Sequence, residues 1–297
     1  MIPQEIKYIV FFSFLILHTF EISSAMMLPE IGVGVYKLDP DACYFAVKEA
    51  LRLGIRHIDT ARYYYNEEAV GAAIRDSEVP RETIFITSKI WLKKRDRQKD
   101  KTTSPHDQVI REGTMSRHKL DTYIDLYLLH APMKPISDYW KGMETLVEMG
   151  ITKKIGVSNF GVHHLDCLFA SAKIPPAVNQ LELNPFRQQK ALCEYCMTKN
   201  IQLVAHSPLC HGEKFGHPII GGIAQQLDVT EAEVMLAYGL QKGWKIIPKA
   251  SSSERMKRLQ ILPKLTLSVM DALDTLEENY VVGWDPVTWK GAGEIKV

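Results

Sequence analysis

From Glu30 onward the chain alternates two hydrophobic rhythms. Short runs rich in β-branched residues are followed by longer stretches whose apolar positions recur every three to four residues. The short runs predict strands at residues 31–36, 55–59, 83–90, 123–130, 154–159, 177–183, 202–206 and 245–249. The longer stretches predict helices at residues 39–53, 68–77, 104–120, 137–150, 163–172, 186–200, 217–227, 230–242 and 253–261. Punctuation supports the first helix: Asp39-Pro40 supplies an N-cap acid with proline in the first turn, and Gly54 ends it. Its expected apolar face is Phe45, Ala46, Ala50 and Leu53. Gly113 and Thr114 make the helix at 104–120 a weak one.

Eight strands alternating with helices over about 230 residues suit a single-domain (β/α)8 TIM barrel, which typically takes ~250 residues. A doubly wound sheet would alternate in the same way. Two features favour the barrel. The first βα unit lacks the Gly-x-Gly-x-x-Gly fingerprint of dinucleotide-binding sheets. Polar residues also stand at the carboxyl ends of most strands: Asp59, Lys89, His130, Asn159, Gln180, His206 and Lys249. A closed barrel gathers these ends at one mouth, and an open sheet does not.

Composition narrows the function classes. With 46% hydrophobic and 24% charged residues the chain reads as an ordinary globular protein, and a formal charge of +1 gives no footprint for nucleic acid. The basic run from Lys93 to Lys101 is broken by Asp96 and Asp100 and reads as a solvated loop. Five scattered cysteines show no disulfide framework, and Cys193-Glu194-Tyr195-Cys196, inside a helical pattern, reads as structural thiols. The histidines lack ligand spacing on any one element, so no metal site is indicated. Residues 1–25 hold a basic residue, an apolar run and small residues near Ser23 and Ala25. They fit either a secretory signal or an extension ahead of a true start at Met26 or Met27, with the barrel domain at 28–297. The first reading implies the secretory pathway, the second the cytoplasm. The apolar run is too short for a stable membrane span.

The motif His57-Ile58-Asp59-Thr60-Ala61-Arg62-Tyr63-Tyr64 places an acid at a strand end and a tyrosine five residues on. Asp59, Tyr64, Lys89 and His130 would meet at the mouth. Such a set suits proton donation to a carbonyl. Lys89 would lower the tyrosine pKa, Asp59 would hold the lysine charged, and His130 would orient a substrate oxygen. Reduction then requires a separate hydride donor.

Here the chain resembles the aldo-keto reductases. The resemblance rests on His57-Ile58-Asp59-Thr60-Ala61 with Tyr64 and Asn66-Glu67-Glu68, on Ile86-Thr87-Ser88-Lys89-Ile90-Trp91, and on Asp125-Leu126-Tyr127-Leu128-Leu129-His130. Ile155-Gly156-Val157-Ser158-Asn159-Phe160, Asn179-Gln180, Asn184-Pro185 and Ile247-Pro248-Lys249 extend it, from about Ile31 to Pro286. It implies a barrel that reduces aldehydes or ketones with NADPH, acting as a monomer on a small carbonyl compound. By position, Asp59, Tyr64, Lys89 and His130 fall on the catalytic four. Ser158, Asn159 and Gln180 fall on the grip of the nicotinamide carboxamide, Ser207 and Leu209 on the pyrophosphate loop. Lys249, Ser251 and Arg255 fall on the 2′-phosphate segment, which favours NADPH over NADH. Tyr36 and Trp91 fall on the substrate wall.

Departures from the family pattern are also visible. His206 stands where a tyrosine usually stacks on the nicotinamide. Val35 and Ala250 replace a threonine and a serine, while Arg258 and Leu259 replace acidic and amide residues at the adenine. No N-terminal hairpin is recognisable before Leu28. The short segments after His130 and after Pro286 predict an open site of broad specificity. Two other classes remain: a non-catalytic nucleotide sensor, supported by the cofactor-side departures, and a Schiff-base lyase at Lys89, which Asp59 opposes.

Overall fold

The computed structural model describes residues 27–92 and 103–288. The leader-like segment at 1–25 and the basic run therefore lie outside the described residues. The strands are β1 (Gly32–Gly34), β2 (His57–Asp59), β3 (Phe85–Ile90), β4 (Ile124–Leu129), β5 (Thr152–Ser158), β6 (Val178–Glu182), β7 (Gln202–His206) and β8 (Lys245–Ile246). They pair in sequence order, every pair parallel. Ile246 N donates to Glu30 O at 2.8 Å and Gly34 N to Pro248 O at 3.0 Å, which closes β8 onto β1. The fold is the (β/α)8 barrel that the alternation predicts.

Residues of alternate parity divide the sheet into two apolar faces. Ile58, Ile86, Tyr127, Leu129, Ile155, Val157, Leu181 and Leu203 point outward into the main core beneath the helices. Phe85, Leu126, Leu128, Val178, Val204 and Ile247 form a second, inner core. Leu28, just ahead of β1, packs into that inner core. Moving toward the carboxyl ends, the same inward parity turns polar: His57 and Thr87, then Asp59, Lys89 and Gln180. The strands are thus apolar on the outside and graded from oil to charge on the inside.

The helices are α1 (Pro40–Arg52), α2 (Glu67–Arg75), α3 (Pro105–Leu120), α4 (Ile136–Glu148), α5 (Val162–Phe169), α6 (Lys190–Thr198), α7 (Pro218–Leu227), α8 (Glu231–Gln241), α9 (Ser253–Arg258) and α10 (Leu267–Asp274). Asp39 caps α1 by accepting from Ala42 N at 2.9 Å, as its sequence signature predicts. Three expectations are corrected. Phe45 is 68% exposed, and the buried stripe of α1 is Cys43, Ala46, Val47, Ala50 and Leu51. The stretch expected to be helical from residue 186 becomes so only at Lys190, because Asn184 and Arg187 pair backbone to backbone and Gln189 turns left-handed at φ 47°. Helix α10 is an addition that the sequence reading did not separate from the tail.

Gly71 of α2 lies against the end of α3, where an added Cβ would stand 2.5 Å from the Leu120 carbonyl oxygen. That neighbour is backbone and has little freedom to retreat. Gly71→Ala is expected to destabilise the fold by about 1–3 kcal/mol. Gly222→Ala, in α7 with open space around it, should instead stabilise by about 0.5–1 kcal/mol. Denaturant melts of the two variants check both signs.

Candidate active site

The four residues expected to act together do converge. Parallel pairing sets β2 beside β3, with Asp59 opposite Thr87, so Asp59 and Lys89 share the inward face. Lys89 is fully buried, and its Nζ makes three contacts: Asp59 Oδ1 at 2.5 Å, Thr60 O at 3.0 Å and Tyr64 Oη at 3.2 Å. An ammonium has three protons to give, and this one places all of them. A short 3-10 turn, Arg62–Tyr64, lifts Tyr64 from the strand end back toward Lys89. Asn66 fixes the loop by donating to the carbonyls of Val35 and Leu38 and by accepting from Thr60 Oγ1. His130 follows β4, its ring 5.7 Å from that of Tyr64, and Nδ1 has no hydrogen-bond partner among the described residues.

The electrostatics reverse one expectation. Tyr64 is pushed well above the ordinary phenol value, not lowered: burial disfavours the phenolate, and the Asp59 carboxylate and Tyr36 add to it. Burial likewise raises Asp59 and lowers Lys89, opposed in each case by their mutual attraction. His130 is driven well below the usual imidazole range by burial, by Lys89 and by His206, which keeps its ring neutral.

The residues expected to grip a nicotinamide form one connected network beside this set. Gln180 Nε2 donates to Asp59 Oδ2 at 2.8 Å, from 121 positions away in the chain. Ser158 Oγ donates to Gln180 O at 2.9 Å. Asn159 takes up the left-handed region at φ 62°, which asparagine tolerates. Its amide donates to Ser158 Oγ at 3.0 Å and to His130 O at 3.1 Å, and its Oδ1 meets His206 Nε2 at 2.9 Å. Ser207 and the half-buried Leu209 open the loop after β7, with Ser207 Oγ 3.3 Å from His206 Nδ1. Lys249, Ser251 and Arg255 stand exposed on the segment after β8 and the start of α9, apart from the buried cluster. Arg258 is drawn away to Glu233 at 3.3 Å and to Glu254, while Leu259 and Ala250 are buried.

The rim holds Tyr36 and Trp91, expected there, and also Tyr63 and Trp284, which the sequence reading did not single out. Trp91 is buried, and the Trp284 indole stacks on it at 5.3 Å and 21°. Tyr63 meets Trp91 edge-on, and Tyr36 lies 4.9 Å from the Tyr64 ring. Trp284 reaches this wall because its segment is tied down twice: Glu182 Oε1 accepts from Val282 N at 3.0 Å, and Arg187 pairs with Asp285 at 2.8 Å. An aromatic residue in a Gly-x-Asp-Pro tail was the available signal. Cys193 and Cys196 are both buried in α6, Cys193 donating to Gln188 O, and burial pushes the Cys193 thiol up to about 12, which fits the structural reading. Among the described residues no three His, Cys, Asp or Glu side chains converge as metal ligands, and no helix is long and apolar enough to cross a membrane.

Comparison with known proteins places this architecture. Residues 30–215 match the Aldo/keto reductase family. The chain belongs to that family and is an oxidoreductase. It is 39% identical to the 9,11-endoperoxide prostaglandin H2 reductase of Trypanosoma cruzi, over 91% of this chain and 95% of that protein. It is 38% identical to the glyoxal reductase of Bacillus subtilis, over 90% of this chain and 96% of the relative. Among solved structures, MGS-M4, an aldo-keto reductase enzyme from a Medee basin deep-sea metagenome library, superposes with a TM-score of 0.79 at 34% identity, covering 92% of this chain and 96% of its own.

Glu182, at the carboxyl end of β6, carries a testable charge penalty. Burial, with Asp285 and Glu213 nearby, lifts its carboxyl from 4.5 to about 7, against the opposing Val282 hydrogen bond and Arg187. A carboxyl whose folded pKa is raised costs stability as pH climbs from the unfolded value through the folded one. The protein should therefore lose about 3 kcal/mol on this account between pH 4.5 and pH 7. Glu182→Gln keeps an acceptor for Val282 and removes the charge. Its denaturation midpoint should match the parent's in mild acid and exceed it above neutrality.

Proposed function

We propose that this chain is an NADPH-dependent carbonyl reductase in which Tyr64 hands a proton to the substrate oxygen. The observation that carries the reading is the Lys89 ammonium, held by Asp59 and touching Tyr64 Oη, beneath a neutral His130. Burial keeps the phenol protonated at rest, so the acid is loaded before substrate arrives. As Oη gives up its proton, the phenolate forms 3.2 Å from Lys89 Nζ, and the ammonium stabilises it at that moment. His130, neutral and beside Tyr64, has a ring N–H to orient the same oxygen. Asp59 supports this from behind by holding the lysine in place.

The residues present fit the cofactor. Ser158, Asn159 and Gln180 would hold its carboxamide, Ser207 and Leu209 its pyrophosphate, and Lys249, Ser251 and Arg255 the 2′-phosphate. Lys249 and Arg255 are exposed, and neither pairs with a carboxylate among the described residues, which leaves both cations free for a phosphate. When bound, NADPH supplies the hydride that the carbonyl carbon receives. The aromatic wall of Tyr36, Trp91 and Trp284 suits aldehydes and ketones with a flat or apolar substituent. The likeness to a glyoxal reductase adds small dicarbonyls to the substrates worth offering. Residues 28–297 form the catalytic unit of this proposal, monomeric, and cytoplasmic where translation begins at Met26 or Met27.

Protein begun at Met26 should oxidise NADPH in the presence of glyoxal or para-nitrobenzaldehyde. Tyr64→Phe should lower kcat by about 10²–10⁴-fold and leave NADPH binding, read by fluorescence, nearly unchanged. A Tyr64→Phe enzyme that retains more than about a tenth of the rate would remove the tyrosine from the proton step.

A further inference from the structure

The polar network beside the acid fixes the direction of each of its hydrogen bonds, and that leads to a role for His206. Ser158 Oγ has one proton and donates it to the Gln180 carbonyl at 2.9 Å. It must then accept from Asn159 Nδ2, 3.0 Å away. The other amide proton of Asn159 goes to the His130 carbonyl at 3.1 Å, an atom that only accepts. The Asn159 amide therefore has one allowed orientation, with Oδ1 toward His206. A carbonyl oxygen cannot donate, so the 2.9 Å contact requires a proton on His206 Nε2.

The other ring nitrogen continues the chain. His206 lies at the end of β7, half-buried, and burial, with Lys89, His211 and Arg187 nearby, pushes its pKa down to about 3. The ring is neutral, so Nδ1 is an acceptor, and Ser207 Oγ stands 3.3 Å from it. Ser207 Oγ, its proton spent, accepts in turn from His211 Nε2 at 3.3 Å. Ser207 and His211 both hold left-handed backbone, φ 48° and 52°, a conformation such residues adopt only when the surroundings enforce it.

We propose that His206 is a positioning residue: as an Nε2–H donor it locks the Asn159 carboxamide in the orientation that receives the nicotinamide. This rests on the NADPH-reductase reading above. It differs from a role as a flat surface under the cofactor ring, because what matters is the donated proton. Without the donor, Asn159 Oδ1 loses its partner, and the bonds to Ser158 and His130 alone hold the amide.

The two roles separate with two substitutions. Phe keeps a flat ring and has no donor, whereas Gln keeps a donor and an acceptor and has no ring. His206→Phe should weaken NADPH binding by about tenfold, the cost of one buried acceptor left unpaired, and His206→Gln should recover most of that loss. A His206→Phe protein that binds NADPH as tightly as the parent, with His206→Gln the weaker, would overturn the proposal in favour of stacking. Ring-nitrogen NMR of nitrogen-15-labelled protein without cofactor gives a second readout, the signal being assigned by its loss in His206→Gln. A neutral Nε2–H tautomer is expected; an Nδ1–H tautomer or a charged ring overturns the assignment. Failure of the parent to bind NADPH would sink the reductase reading, and the tautomer would still decide whether His206 donates to Asn159.

Discussion

The ion pair between Lys89 and Asp59 is the constraint that the barrel interior is built to meet. An ammonium with no exposure to water is tolerable only when every proton finds an acceptor and the counter-charge is close. Here Asp59, Thr60 and Tyr64 take the three protons, and Gln180 covers the second oxygen of Asp59. A pair of this kind contributes little net stability, since desolvating both ions costs about as much as their attraction returns. Its retention in a core otherwise filled with Phe85, Leu126, Leu128 and Val178 therefore speaks for chemistry. The parallel register that sets Asp59 across from Thr87 is what brings the two side chains together without strain.

The resting state of Tyr64 follows from the same pair. A bare ammonium beside a phenol would favour phenolate, but this ammonium already answers to a carboxylate. Burial decides, the Asp59 carboxylate and Tyr36 add to it, and the phenol stays protonated. For a general acid this is the useful outcome. The proton is present at neutral pH, and Lys89 acts where charge develops as it departs.

Much of this could be read in the residues. Alternating rhythms and polar strand ends were enough for the barrel and its mouth, because side-chain parity and strand order are local properties that the closed sheet merely gathers. What escaped depends on long-range packing. The Gln180–Asp59 bond crosses the barrel between strands far apart in sequence, and no motif spans that gap. The sign of the Tyr64 shift depends on burial, which composition does not reveal. Phe45 obeyed helical spacing and still faced solvent, because α1 is rotated to bury Cys43, Val47 and Leu51 instead. The placing of Trp284 against Trp91 needed the Arg187–Asp285 and Glu182–Val282 ties, one from the loop after β6 and one from the last residue of β6.

The same internal bonds decide what the mouth has left to offer a ligand. Ser158 has donated its proton to a backbone carbonyl, Asn159 has placed both amide protons, and one proton of Gln180 is committed to Asp59. The donors of these three side chains are largely spent within the protein itself. Their oxygens are not: the Gln180 side-chain carbonyl and the second lone pair on Asn159 Oδ1 can still accept. On the reading proposed above, the rim therefore receives a carboxamide chiefly through that group's own N–H protons. A ligand amide lying the other way, carbonyl first, would face acceptors and pair poorly with them. On that reading, the internal bonds that satisfy the buried polar groups also set which end of the carboxamide meets these side chains.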